Sequence, residues 1–346
     1  MSNLYFHIRS RLMLSWRSSW TFARFTLMFG LVCAALFPNL AAAQTPSWPT
    51  HPIKFVTGYP AGGSSDVVAR LFADYLSRSL GQPIIVENRS GAGGTIGALS
   101  VVRADPDGYT FYVPAISEIS LAPATVASLP YDPEKDFEPV AMLGKWAQVL
   151  VTAPNFPPNT LAELIAYAKA NPGKVSYSSF GNNTLNHLHG ERFKLATGID
   201  TLHVPYRGSA GSIADLMGGQ VQYTFDSPAV TLNLVKAGKL KAIAIAGKER
   251  LPNAGNIPTM AEAGLPNFFI NSWIGLLAPA KTPQPIIERL NREVNAALRL
   301  PELRSKLEST NILPGGGTAE DFGRQIHAEI AEYKELAPRV GITPTK

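Results

Sequence analysis

Two glycine-bearing loops hold the residues of this chain best suited to chemistry. Tyr59-Pro-Ala-Gly-Gly-Ser-Ser-Asp66 follows a short apolar run at 53–57 and opens an amphipathic run at 66–80. That order is strand, glycine loop, helix start. Such a junction aims several unpaired N–H groups, and the positive end of a helix dipole, at one point in space. The loop carries no Lys, Arg, Cys or His, so its occupant is expected to be an anion held by amides and hydroxyls. A second loop of this kind, Ser178-Ser-Phe-Gly-Asn-Asn-Thr184, separates a strand-like run from a helical one. Two such cups on two lobes suggest a clamp for a small carboxylate.

Within the first cup, the N–H groups from Ala61 through Gly62 and Gly63 to Ser64 are the expected carboxylate donors, directly or through water. Tyr59 is a candidate wall, and Ser64 and Ser65 add hydroxyls. Asp66 is awkward beside an anion; it suits a helix cap, an organiser of loop amides, or an acceptor for a ligand ammonium or hydroxyl. In the second cup the candidates are Ser179, Gly181, Asn182 and Thr184. Ser117 and Asp226 each follow a strand-like run, and open α/β sheets bind ligands beyond the carboxyl ends of their strands. Phe180 and Trp273 are further wall candidates. Arg207 is the nearest guanidinium, and a structural ion pair suits it slightly better than a ligand contact.

Other patterns carry less. His187 and His189 stand two apart, about 200° around a helix, so they cannot share one metal ion, and no metal site is expected. Gly91-Ala-Gly-Gly-Thr-Ile-Gly97 is spaced G-x-G-x-x-x-G and follows the second strand-like run rather than the first, so it reads as helix packing rather than a dinucleotide fingerprint. No Walker Lys-Ser/Thr pair, Gly-x-Ser-x-Gly elbow or cysteine nucleophile occurs, so neither a cofactor nor a catalytic residue is expected.

The elements that must position these loops alternate. Strand-like runs fall at 53–57, 84–87, 110–113, 140–143, 149–152, 175–178, 202–204, 221–225, 240–246 and 273–278. Helical runs fall at 66–80, 95–103, 161–170, 185–196, 212–217, 229–237, 285–300, 302–308 and 319–336. The alternation argues for an α/β fold of mostly parallel sheets flanked by helices. Thr160 with Glu163 reads as a capping box, and Asp105-Pro-Asp-Gly108 as a turn. The segment 140–152, broken at Gly144-Lys-Trp146, suits a crossing between lobes, and 240–246 a return. That gives lobe 1 from 44–145 plus 240–346 and lobe 2 from 146–239, joined by two strands that can hinge.

The chain has 346 residues, with 31 Lys and Arg against 26 Asp and Glu. Residues 1–43 read as a secretion signal: Arg9, Arg11, Arg17 and Arg24 precede an apolar run from Phe25 to Leu36, and Ala41-Ala42-Ala43 then supplies the small residues of a cleavage site. A retained anchor is the competing reading. Cys33, the one cysteine, follows Val32, where a lipoprotein signal needs a small residue. Without that leader, four basic residues fewer leave 27 against 26, so the basic balance gives no reason to expect nucleic-acid binding. The remainder has no thiol, so its stability must come from burial, and roughly 300 residues suffice for two lobes.

Several ordered motifs resemble one family. Tyr59-Pro-Ala-Gly-Gly-Ser-Ser-Asp-Val-Val-Ala-Arg70 resembles its first ligand loop and helix. Val86-Glu-Asn-Arg-Ser-Gly-Ala-Gly-Gly-Thr-Ile-Gly97, Ser178-Ser-Phe-Gly-Asn-Asn-Thr-Leu-Asn-His-Leu188, His203-Val-Pro-Tyr-Arg-Gly208 and Ala237-Gly-Lys-Leu-Lys-Ala242 resemble further signatures in order. The family is the Bug (TctC-like) solute receptors of tripartite tricarboxylate transporters, and the resemblance spans about residues 50 to 342. It implies a two-lobe periplasmic binding protein, type II-like, expected as a monomer. Such a protein closes on a small carboxylated solute and hands it to integral membrane permease subunits in a transient contact. The second loop of that family usually has glycine where this chain has Asn183, which puts pocket shape and ligand identity in question. The competing reading is an exported hydrolase or transferase acting on an anionic substrate, with Asp66, Asp226 or His187 as its only sensible nucleophile or base. A third is a sensor partner for a membrane kinase using the same cleft.

Overall fold

The computed structural model describes residues 48–344, Pro252 excepted; the expected leader lies outside the described residues. The chain runs β1 (Ile53–Thr57), α1 (Ser64–Leu80), β2 (Ile84–Asn88), α2 (Thr95–Val102), β3 (Thr110–Tyr112), a π-helical turn (Ser117–Leu121), α3 (Ala122–Thr125) and β4 (Phe137–Ala147). It continues through β5 (Val149–Thr152), α4 (Leu161–Ala170), β6 (Ser176–Ser179), α5 (Leu185–Thr197), β7 (Leu202–Pro205), α6 (Ser209–Met217), β8 (Tyr223–Asp226), α7 (Pro228–Lys236) and β9 (Lys241–Ile245). It ends with β10 (Asn271–Pro279), α8 (Gln284–Ala297), α9 (Pro301–Ser309), β11 (Leu313–Pro314) and α10 (Ala319–Arg339).

Local chemistry explains these boundaries. In α1, Val68, Phe72, Ala69, Ala73 and Leu76 recur at helical spacing and are buried, each large one contributing about 1.5–3 kcal/mol. Gly81 ends the helix in a left-handed conformation (φ 70°) and donates to the Ser77 carbonyl. Thr160 caps α4 by accepting from the Glu163 N–H at 3.2 Å, while the Glu163 carboxylate reaches back to the N–H of Asn159 rather than of Thr160. The reciprocal capping box is formed at Thr318 and Asp321, ahead of α10.

The strands form two sheets. One has six strands in the order β11-β4-β10-β3-β1-β2, the other five in the order β7-β6-β8-β5-β9. Parallel pairing is confined to β1 with β2 and β3, and to β6 with β7 and β8. The remaining ladders, at the strands leading to and from the crossings, are antiparallel. The sheets are therefore mixed.

β4 and β5 are separated by Gln148 alone, which makes the first crossing. The return differs from expectation. β9 pairs with β5 inside the five-stranded sheet, and the segment after it packs there through Leu251, Met260, Phe268 and Ile270. The chain returns after Ile270, where β10 begins at Asn271. Three backbone hydrogen bonds lace the crossings: Gln148 N–H to the Ile270 carbonyl (3.2 Å), Ile270 N–H to Ala246 (2.7 Å), and Ala246 N–H to Gln148 (2.8 Å). The sequence could not distinguish β9 from a crossing, because both are short buried β-rich runs.

A second contact joins the halves. Leu185 and Leu188 of α5 are buried with Trp273, Phe322, Ile326 and Leu336 on the six-stranded side. Arg192 pairs with Glu332 of α10 at 3.6 Å and donates to the Phe269 carbonyl at 3.0 Å. Leu188→Ala is expected to lower stability by about 2–5 kcal/mol, read as a reduced urea midpoint with unchanged slope.

Candidate ligand-binding site

Strand direction fixes where the loops lie. β4 is antiparallel to β10, and β10 to β3, so β4 runs parallel to β1–β3 and carries the chain from their carboxyl ends into the crossing. β5 leaves the crossing antiparallel to β8, with Val149 opposite Asp226. The carboxyl ends of β6 and β8 therefore also lie at the crossing. The loops after β1 and β3, and those after β6 and β8, therefore lie at the ends of their sheets nearest the crossing, the carboxyl ends at which open α/β sheets bind ligands.

The first loop is held by side chains. Asp66 is 3% exposed. Its carboxylate accepts from the Gly62 N–H (2.9 Å), from Asn88 Nδ2 (2.9 Å) and from Arg70 through Nε (3.0 Å) and Nη2 (2.9 Å). Burial opposes its ionisation, but the hydrogen bonds from Arg70, Gly62 and Asn88 outweigh it and hold the carboxyl below its ordinary range. Asp66 thus organises the loop, and its lone pairs are taken. Asn88 Nδ2 also reaches Thr57 Oγ1 and the Tyr59 carbonyl. Gly62, at φ 84°, spends its N–H on Asp66, and Gly63 bonds the Pro60 carbonyl at 3.3 Å. The Ala61 N–H and the first-turn N–H groups of Ser64 and Ser65 find no acceptor among the described residues.

Behind this loop lies a residue that the sequence reading missed. Glu118, 1% exposed, is in the π-helical turn, a local widening often found at functional sites. Its Oε2 accepts from the Tyr59 hydroxyl (3.2 Å) and the Ala115 N–H (3.2 Å), and its Oε1 lies 3.2 Å from the Tyr112 hydroxyl. Ser117 is the first residue of that turn, beyond the end of β3. Burial pushes the Glu118 carboxyl up to about 8, against the hydrogen bonds it accepts. Burial and the charge of Glu118 likewise raise Tyr59 and Tyr112 well above the ordinary phenol value. Gly94 makes the cluster possible: at φ 97° it lies where a Cβ would meet Glu118 Cγ at 2.4 Å. The glycine run 91–97 is therefore a packing device, as its spacing suggested.

The second loop is held in the same manner. Ser179 Oγ donates to the Gly181 carbonyl (2.9 Å), accepts from the Gly181 N–H (3.2 Å) and lies 2.6 Å from His203 Nε2. Thr184 donates to the Gly181 carbonyl (2.8 Å) and caps α5. Both hydroxyls shape the loop, and Asn182 is its exposed tip. Asn183 adopts the left-handed region (φ 59°) that asparagine tolerates, and its Nδ2 donates to the Thr343 carbonyl across to the other half. The Asn183 N–H donates to His187 Nδ1, and His187 stacks on His203 at 3.9 Å. Burial lowers both imidazoles, His203 to about 4, so both are neutral at neutral pH. His189 is buried with neither ring nitrogen hydrogen-bonded.

At the end of β8, Asp226 is buried; Oδ2 accepts from Ser209 and Oδ1 from the Ser227 N–H, both at 2.6 Å. Burial raises its carboxyl to about 6, partly offset by those bonds. Gln148, at the crossing, is 5% exposed with Oε1 unpartnered. Tyr59 and Phe180 are half-buried. Trp273 is 0% exposed and donates to Glu329 at 2.9 Å, so it belongs to the core rather than to a cleft wall. Arg207 is exposed and forms none of the ion pairs of the described residues, so its expected structural pairing is absent there. Among the described residues, no three His, Cys, Asp or Glu side chains converge as metal ligands, and no helix is long and apolar enough to cross a membrane.

Two sheets that turn their strand ends, and a pair of amide-bearing loops, toward a double crossing define a solute receptor of the binding-protein class. The chain belongs to the tripartite tricarboxylate transporter family receptors (TctC), whose family model matches residues 68–342. It is 38% identical to BugT of Bordetella pertussis over 302 residues, 87% of this chain and 93% of that one. Among solved structures, R. palustris Rpa4515 with adipate superimposes with a TM-score of 0.77 at 35% identity, covering 86% of this chain and all of that one. MatC from Rhodopseudomonas palustris with bound malate gives 0.72 at 32%, covering 84% and 99%. The family is one of receptors, and this chain is a solute-binding receptor rather than an enzyme.

Asp66→Asn is expected to cost about 1–3 kcal/mol at neutral pH by breaking the Arg70 pair in a buried site. Because the folded carboxyl titrates below its ordinary 3.8, its contribution is present above that value and is lost as the pH falls through the folded one. The gap between variant and wild type in denaturant midpoints should therefore narrow on acidification.

Proposed function

We propose that this receptor captures a small dicarboxylate in the periplasm and presents it to the membrane permease of a tripartite transporter. One observation carries the reading: at the carboxyl ends of strands beside the crossing, the Ala61, Ser64 and Ser65 N–H groups of one loop and the Asn182 N–H of the other find no acceptor among the described residues. The two ends of a dicarboxylate match two such cups. The solved relatives that hold adipate and malate support this class of ligand, and the Arg-rich, acid-free leader supports export.

In this reading the lobes divide at Gln148 and at Ile270, with the residues between them forming the second lobe. One carboxylate takes the N–H groups of Ala61, Ser64 and Ser65, beside Tyr59 and Ser117. The other takes the Asn182 N–H, in the loop that Gly181 and Ser179 shape, close to Asp226. Asp66, Ser179 and Thr184 hold those loops in shape. Closure removes water from the amide–carboxylate bonds and so strengthens them. Open and closed forms then offer the permease different surfaces.

Two measurements test this. A thermal-shift series of dicarboxylates should contain acids that raise the melting temperature, with about 2.7 kcal/mol of stabilisation at a hundredfold excess over Kd. No stabilising acid in a broad series would overturn the reading. Ser64→Pro removes one N–H at the first helical position, where proline is tolerated, and Gly63 at ψ 166° already has the backbone that a following proline requires. It should leave the fold intact and weaken binding by about 1.5–3 kcal/mol, the worth of a hydrogen bond to a charged group.

A further inference from the structure

The second loop takes one of its supports from the opposite half. Within the loop, the Gly181 carbonyl accepts from the hydroxyls of Ser179 (2.9 Å) and Thr184 (2.8 Å). A trans peptide sets its N–H opposite its carbonyl, so the Asn182 N–H, on the same peptide, points away from those hydroxyls. The following peptide is fixed as well, because the Asn183 N–H donates to His187 Nδ1 at 3.2 Å. Asn183 then turns into the left-handed region (φ 59°), and its side chain reaches the Thr343 carbonyl at 3.1 Å, 160 residues away along the chain. A carbonyl can only accept, so the Asn183 amide presents its NH2 there.

Thr343 belongs to the segment that follows α10, and that segment is itself seated. Gly341 turns the chain at φ 75°. Its N–H donates to the Pro338 carbonyl at 3.1 Å, and that of Ile342 to the Ala337 carbonyl at 2.9 Å. Ile342 is 2% exposed and lies in the same apolar cluster as Leu185 and Leu188 of α5. The carbonyl that Asn183 meets is therefore held in place from the six-stranded side.

We infer that Asn183 and the segment 341–343 form a clasp that positions the second loop for its solute and ties occupancy of that loop to the juxtaposition of the halves. The inference rests on the carboxylate reading above. Asn183 touches no solute in it; it acts through the neighbouring Asn182 N–H and is a positioning residue. An N–H held in its binding direction before the solute arrives lowers the ordering cost of association. Coupling of this kind is reciprocal: the clasp raises solute affinity, and a bound solute strengthens the clasp by the same factor. The side chain at this position must carry a donor and tolerate a left-handed backbone. Glycine meets the second requirement but not the first, and asparagine meets both.

The test uses the tightest acid of the dicarboxylate series, adipate and malate included. Asn183→Gly keeps the backbone and removes the donor, and it is expected to weaken Kd about two- to twelvefold, the worth of one neutral hydrogen bond. Ile342→Ala unseats the acceptor and should weaken Kd as well. With the clasp already open, adding Asn183→Gly should cost less than about twofold more. A loop that had merely become more flexible would lose affinity equally in both backgrounds. In wild type, saturating acid should slow amide hydrogen exchange at Gly341, Ile342 and Thr343, by about the factor that Asn183→Gly costs in Kd. The slowing should vanish in Asn183→Gly, and the wild-type measurement needs no variant to fold. An Asn183→Gly Kd equal to wild type, losses that multiply in the double variant, or exchange at 341–343 indifferent to the acid would overturn the inference while leaving carboxylate binding in place. Failure of every acid to bind would instead overturn the carboxylate reading, and this inference with it.

Discussion

A hydrogen-bond donor kept for a ligand is a donor that the fold cannot spend on itself, and most of this structure can be understood from that constraint. A loop with unspent N–H groups lacks the main-chain ladder that would otherwise fix its shape. Side chains supply the shape instead. In the first loop, buried Asp66 with Asn88 and the more exposed Arg70 forms a knot that ties the end of β1, the end of β2 and the start of α1 together. In the second, Ser179 and Thr184 both close on the Gly181 carbonyl. The polar residues that look most like ligand contacts in the sequence are therefore largely the frame around the amides between them.

The same economy applies between the halves. Gln148, Ala246 and Ile270 exchange three backbone hydrogen bonds at the crossings, so the strands are tied to each other where they pass. Rotation there must be absorbed by a few residues. The contact of α5 with α10 works differently. Leu185 and Leu188 pack into the core of the six-stranded side, and Asn183 and Arg192 flank them with a hydrogen bond and an ion pair. α5 begins at the second glycine loop, so that loop leads directly into the element that touches the opposite half.

Glycines and buried acids are coupled. Gly58, Gly94 and Gly97 let three strand-end loops approach within van der Waals distance of one another. The space that they leave is filled by the Glu118 side chain and the hydroxyls of Tyr59 and Tyr112. Close approach excludes water, and exclusion of water shifts the carboxyl upward. Asp226 at the end of β8 is raised by the same cause. Each half thus places a carboxyl raised by burial behind its strand ends, in contrast to Asp66, whose guanidinium partner keeps it charged.

Much of this was legible in the sequence because it depends on neighbours along the chain. Strands at 53–57 and 149–152, the helix starts after both glycine loops, the packing role of the run 91–97 and the alternating α/β order all follow from local periodicity and turn chemistry. Three features did not follow. β9 joins the second sheet rather than crossing back, Trp273 is core, and Glu118 is the acid at the centre of the first loop cluster. Each depends on pairing or burial between segments distant in sequence, which period and composition do not encode. The sequence by itself determined which loops could hold an anion, because unpaired amides and glycine freedom are properties of a few consecutive residues. Only the tertiary structure decided which of those amides remain unspent and which acid stands behind them, because both depend on what the rest of the chain brings within hydrogen-bonding distance.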